Sequence, residues 1–137
     1  MKKSIFIVDD RLLERNRLKA ILSEAGFRIA GESINGREAI LDLVEMDVLP
    51  DIVLLDIDMP FMNGYQAAKI ISTTFPDIPV VITSSDEIDD VLSTRCGAAG
   101  VISKNISAAE YIYSFARIAG AILFSAGESS APMHIYM

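Results

Sequence analysis

The sequence predicts an α/β fold: a doubly wound, five-stranded parallel sheet with helices on both faces. Three observations predict it. Short apolar runs rich in β-branched residues alternate five times with segments of helical periodicity. The strands are apolar along nearly their whole length, as expected when both faces of a sheet are covered. At 137 residues, 51% hydrophobic and 23% charged, the chain suits one globular domain with a real core.

The elements follow in order. Ser4–Val8 reads as a buried strand ending in Asp9-Asp10. Leu18, Ile21, Leu22 and Ala25 recur at helical spacing, and Gly26 stands where a helix terminates. Phe27–Ser33 is a second, weaker strand. Asn35-Gly36-Arg37-Glu38 supplies an N-cap with a Glu three residues on, ahead of Ala39, Ile40, Leu43 and Val44 on one face. Pro50-Asp51 breaks the chain before Ile52–Leu55, a continuous apolar strand running into Asp56. Pro60 and Asn63-Gly64 lead to a helix ending at Phe75, and Pro76 and Pro79 bracket the next turn. Val80–Ile82 ends in Thr83-Ser84-Ser85. A polar helix over Glu87–Cys96 stops at Gly97, and Gly100–Ser103 is a fifth strand followed by Lys104. Ser107-Ala-Ala-Glu110 is a capping box opening the last helix, whose stripe is Ile112, Phe115, Ile118 and Ile122, widened by Tyr111, Ala119, Leu123 and Phe124. Residues 1–126 form the expected domain, and 127–137 a short flexible tail.

Composition narrows the function. The net charge of −7 and a pI near 4.6 argue against binding to a phosphate backbone, so no direct nucleic-acid contact is expected. The single Cys96 cannot close an internal disulfide and reads as a small buried hydrophobe, which suits the cytoplasm. The apolar stretch before Asp9 is shorter than a signal-peptide core, and Arg117 interrupts the longest apolar segment, so no membrane span is expected.

Ligands of open parallel sheets bind beyond the C-terminal ends of the strands. The residues there are Asp9 and Asp10, Asp56, Ser84 and Lys104. Any one could be an ordinary solvated strand end; five together are a site. Packed carboxylates repel unless one is protonated or a cation is shared. Hard oxygen ligands suit Mg²⁺, which keeps waters and accepts one or two carboxylates plus a phosphate. A carboxylate can attack phosphorus, and the remaining task is positioning and charge neutralisation by metal, lysine and hydroxyl.

The order and spacing of these residues resemble response-regulator receivers, from about Ser4 to Ala126. The resemblance is carried by Val8-Asp9-Asp10, by Asp51-Ile-Val-Leu-Leu-Asp56-Ile-Asp-Met-Pro60 with Asn63-Gly64, by Pro79-Val-Val-Ile-Thr-Ser84, and by Gly100-Val-Ile-Ser-Lys104. Gly31-Glu32 through Asn35-Gly36-Arg37-Glu38-Ala39 is further similar to receivers with LuxR-type DNA-binding output domains. The resemblance implies a flavodoxin-like, CheY-like (βα)5 fold with strand order 2-1-3-4-5. It implies Asp56 as the phosphoacceptor for a sensor histidine kinase or phosphotransfer protein. It implies direct Mg²⁺ ligation by Asp10, water-mediated binding by Asp9, and a further ligand in the backbone carbonyl of Asp58. Ser84 and Lys104 would contact the phosphoryl oxygens. Ser84 stands five positions past Pro79, where such families place the hydroxyl, with Thr83 in reserve. A dimer or output partner would use the fourth and fifth βα units.

Three departures qualify the resemblance. Val101 occupies a position that often carries a switching aromatic, Asn105 replaces the proline that often follows the lysine, and Asp58 and Asp86 add acids two residues past site positions. The two acids are expected to raise the local negative potential and slow loss of the phosphoryl group. Two other functions compete: a receiver-like interaction module independent of phosphorylation, and a phosphatase using Asp56-Ile57-Asp58 as a D-x-D motif.

Overall fold

The computed structural model describes residues 2–59, 62–85, 88–124 and 133–135. In chain order the elements are β1 (Ser4–Val8), α1 (Leu12–Glu24), β2 (Arg28–Ser33), α2 (Gly36–Glu45), β3 (Ile52–Asp56), α3 (Gly64–Thr74), β4 (Val80–Ser84), α4 (Asp90–Arg95), β5 (Gly100–Ser103), α5 (Ala108–Phe124) and β6 (Met133–Ile135). All the strand pairs are parallel, in the order β2-β1-β3-β4-β5-β6. The expected order of the first five strands is therefore present.

The sheet also gains a sixth, edge strand. Met133–Ile135 pairs with Gly100–Ile102 within the segment expected to be a flexible tail. Its three residues carry too little pattern to read as a strand, and the open N–H and C=O groups of β5 supply the template. The rest of that tail lies outside the described residues.

Alternation along the strands divides the core into two layers. Phe6, Val8, Val53, Leu55, Val80, Ile82 and Val101 face α2 and α3, meeting Ala39, Leu43, Ala67, Ala68 and Ile71. Ile5, Ile7, Ile52, Leu54, Val81 and Ile102 face α1 and α5, meeting Leu18, Leu22, Tyr111, Phe115 and Ile118. Phe27 packs edge-on against Phe115 with ring centroids 5.1 Å apart. Cys96 is buried in the first layer, as expected. Among the described residues, no helix is long and apolar enough to cross a membrane.

Local chemistry sets the element boundaries. Helix α1 ends in a Schellman motif: Gly26 adopts φ +96°, its N–H donates to Ser23 O, and Phe27 N–H donates to Leu22 O. Phe27 is thus spent on the cap, and β2 begins one residue later than expected. Asn35 and Asn63 cap α2 and α3 by accepting from the N–H groups of Glu38 and Gln66, each at 2.9 Å. Asp51 locks the start of β3 to β1, its carboxylate accepting from Ser4 N–H at 2.8 Å. Helix α4 starts later than Glu87 because Asp89 is its N-cap, accepting from Leu92 N–H at 3.0 Å. Glu87 itself lies outside the described residues.

The α5 stripe is shifted from expectation. Tyr111, Phe115, Ile118 and Ala119 are buried, whereas Ile112 is half-buried. The side chains of Ile122, Leu123 and Phe124 lie outside the description. The Tyr111 hydroxyl is buried and has no hydrogen-bond partner among the described residues. Burial, with Glu14 nearby, holds its pKa far above the usual phenol range. An unsatisfied buried hydroxyl costs about 1–3 kcal/mol, and phenylalanine removes it without changing the ring. Tyr111→Phe is expected to raise the urea midpoint by the equivalent of about 1 kcal/mol at unchanged m-value; a lower midpoint would show that the hydroxyl has a partner in solution.

Candidate functional site

Strands β1 and β3 are adjacent and in register, Val8 opposite Leu55, so their C-terminal ends deliver Asp9, Asp10 and Asp56 to one place. One carboxylate oxygen from each of the three lies within 4.8 Å of the other two. Asp9 and Asp56 are each 1% exposed, while Asp10 faces solvent. Lys104, the residue after β5, reaches past β4 to Asp56 and past β3 as well to Asp9. Its Nζ donates to Asp9 Oδ2 at 2.7 Å and stands 3.0 Å from Asp56 Oδ2, with the side chain only 7% exposed. The strand ends thus bring together four of the residues expected there.

The two oxygens of Asp56 are unequal. Oδ1 accepts the N–H of Asp58 at 2.9 Å. Oδ2 is buried, and among the described residues its one polar contact is Lys104 Nζ at 3.0 Å. Burial raises the Asp56 pKa most; the Asp58 N–H and Lys104 oppose it, and Asp9 adds to it. For Lys104, burial alone would lower the pKa. The hydrogen bond to Asp9 and the charge of Asp56 outweigh it, and the ammonium is held above its usual range.

The fifth residue, Ser84, joins by another route. Its hydroxyl donates to Asp58 Oδ2 at 2.9 Å, and the N–H of Ser85 donates to the same oxygen at 3.3 Å. Asp58 therefore links Asp56 to the end of β4 through its main chain on one side and its carboxylate on the other. The Asp56 bond also fixes the turn that carries the Asp58 carbonyl. Thr83 is the in-register neighbour of Asp56, and its carbonyl accepts from Ile57 N–H. Asp86 lies outside the described residues, as does Pro60.

Two contributors were not read from the sequence as site residues. Asn105 donates its side-chain amide to Ser85 O, tying the loop after β4 to the loop after β5. Gly64 packs on the loop after β3: its N–H donates to Ile57 O at 3.1 Å, and a Cβ there would run into Ile57 Cα and stand 2.6 Å from Asp56 O. Asn63-Gly64 was legible as the loop leading into α3; its contact with the main chain of Asp56 and Ile57 was not.

Three carboxylate oxygens, one of them on the exposed Asp10, form a donor set suited to a small hard cation that keeps part of its water shell. A lysine facing the same oxygens suits an anionic ligand with several acceptor atoms.

A family model described as the response regulator receiver domain matches residues 5–115. The chemotaxis protein CheY of Thermotoga maritima is 44% identical over 85 residues, which are 62% of this chain and 69% of that protein. The transcriptional regulatory protein DegU of Brevibacillus brevis is 35% identical over 110 residues, 78% of this chain and 46% of that protein. CheY in the CheX–CheY–BeF3–Mg complex of Borrelia burgdorferi superposes with a TM-score of 0.76 at 27% identity, covering 85% of this chain and 88% of that one. The chain belongs to the response regulator receiver family, the phosphoacceptor modules of two-component systems. Phosphorylation on an aspartate is the general mechanism of that family, Mg²⁺ is generally bound at its acidic pocket, and histidine kinases and phosphotransfer proteins are its usual partners. The chain spans 69% of the length of the Thermotoga CheY, 46% of DegU, and 20% to 29% of four protein-glutamate methylesterases it also matches.

The raised pKa of Asp56 has a consequence for stability. The folded chain holds a proton on Asp56 more tightly than the unfolded chain does, so stability falls as pH climbs from the ordinary carboxylate range through the raised value. Asn at this position carries no such loss. Metal-free Asp56→Asn is expected to be more stable than the parent near neutral pH by on the order of 1 kcal/mol. Its advantage should shrink as the pH drops into the carboxylate range. Urea unfolding in EDTA at both pH values checks this, and an advantage independent of pH would contradict it.

Proposed function

We propose that Asp56 accepts a phosphoryl group from a sensor histidine kinase or a phosphotransfer protein, and that the acylphosphate so formed switches the chain's partner interactions. The observation that carries the reading is the Asp56 carboxylate: buried, with Oδ2 3.0 Å from Lys104 Nζ, and grouped with two further carboxylates. Oδ2 attacks phosphorus as the bond from phosphorus to the donor nitrogen breaks, and the leaving imidazole takes up a proton. Lys104 neutralises charge on the phosphoryl oxygens, exchanging part of its contact with Asp9 and Asp56 for them. Asp9, Asp10, Asp56 and the Asp58 carbonyl would hold Mg²⁺, which supplies further charge neutralisation for the transfer. Ser84 donates to a phosphoryl oxygen in the switched state.

Residues 1–126 constitute the phosphoacceptor domain in this reading, working in the cytoplasm, with the surface of the fourth and fifth βα units offered to a dimer or output partner. The acidic balance of the chain supports a receiver that makes no direct contact with nucleic acid. Against the D-x-D phosphatase reading stands the Asp58 carboxylate, which accepts from Ser84 and Ser85 instead of facing the acceptor as a general acid.

Incubation with acetyl phosphate and Mg²⁺ should add the mass of one phosphoryl group, measured on the intact protein. The gain should disappear in Asp56→Ala and on chelation, and form at least about tenfold more slowly in Lys104→Ala. A folded protein that remains unmodified with metal present would favour the phosphorylation-independent module.

A further inference from the structure

The peptide joining Ser84 to Ser85 is gripped from both neighbouring loops. From the loop after β3, Asp58 Oδ2 takes the Ser84 hydroxyl at 2.9 Å and the Ser85 N–H at 3.3 Å. From the loop after β5, the Asn105 amide donates to Ser85 O, while Asn105's own N–H is anchored on Ser103 Oγ at 3.2 Å. The main chain adds a third tie, Lys104 N–H to Ser84 O at 2.8 Å. A serine hydroxyl has one proton to donate. While that proton is given to Asp58, it is not available to an oxygen on Asp56.

We propose that the Asp58 carboxylate and the Asn105 amide are positioning residues that clamp Ser84-Ser85 in the unphosphorylated arrangement and set the threshold for switching. The inference rests on the reading of Asp56 as the acceptor. A phosphoryl group there brings acceptor oxygens and negative charge. The oxygens compete with Asp58 Oδ2 for the Ser84 proton, and the charge repels the Asp58 carboxylate, whose main chain is bonded to Asp56 itself. Release of Ser84 leaves Asp58 with the longer Ser85 bond alone, and the Ser85 carbonyl can then leave Asn105. The side chains at Asp58 and Asn105 thus govern movement of this loop in a chain that has Val101 three residues before Lys104.

Beryllofluoride with Mg²⁺, a stand-in for the phosphoryl group, provides the test. Binding to the parent chain and its loss in Asp56→Asn establish the acceptor first. The clamp then predicts that Asp58→Ala binds roughly tenfold more tightly, Asp58→Asn gains less because its amide oxygen still accepts from Ser84, and Asn105→Ala also gains. In a Ser84→Ala background the gain from Asp58→Ala should shrink severalfold. Equal gains for Asn and Ala at position 58, or an undiminished gain without Ser84, would assign the effect to bulk charge and overturn the clamp. Amide hydrogen exchange in the metal-free chain tests the clamp independently of the acceptor. Ser85 should be protected in the parent and exchange at least about fivefold faster in Asp58→Ala and Asn105→Ala; unchanged exchange in both would overturn the proposal even if beryllofluoride binds.

Discussion

A single ammonium group holds the acidic edge of the sheet together. Two carboxylates almost wholly withdrawn from water, with a third beside them, would repel one another strongly at the low effective dielectric of the site. Lys104 stands 2.7 Å from one and 3.0 Å from the other. It comes from the far side of β4, so the first, third and fifth strands must all be in place before the charges balance. Two apolar layers hold those strands in register. The balance is incomplete, because Asp56 retains a raised pKa with Lys104 as the one cation 3.0 Å from its buried Oδ2 among the described residues. That residual deficit fits the proposed role of Asp56, a nucleophile held in position.

Most of this arrangement was legible in the sequence, for physical reasons. Continuous apolar strands such as Ile52–Leu55 are only stable with both faces covered, which fixes the parallel sheet and sends the polar residues to its carboxyl edge. Asp9, Asp10, Asp56 and Lys104 follow strand ends directly, so placing the strands placed them. Asn35 capped its helix as read, because a cap depends on neighbours within a few residues.

What could not be read depended on contacts between loops. The bond from Ser84 to Asp58 and the tie from Asn105 to Ser85 connect residues 20 or more positions apart, through side chains whose directions no periodicity encodes. The late start of α4 has a local and a distant part: Asp89 caps the helix, and its N–H donates to the Tyr65 hydroxyl on α3. β6 was missed because strand addition depends on the open edge of β5 more than on Met133–Ile135 themselves. The choice between Thr83 and Ser84 shows both kinds of information at work. Register sets Thr83 beside Asp56, whereas Ser84 reaches the acceptor loop through Asp58.

Gly64 gives the site a mechanical property. With no side chain between them, the first turn of α3 rests on the main chain of Asp56 and Ile57, and its own N–H is bonded to Ile57 O. Main chain against main chain leaves no flexible spacer to absorb a displacement. The helix therefore behaves as a strut braced against the main chain at Asp56: thermal drift of Asp56 toward α3 is resisted by eleven residues of regular structure instead of a single rotamer. A displacement of this loop toward α3 has to move the helix with it. Any motion of the main chain at Asp56 toward α3 is in this way shared with a whole secondary-structure element.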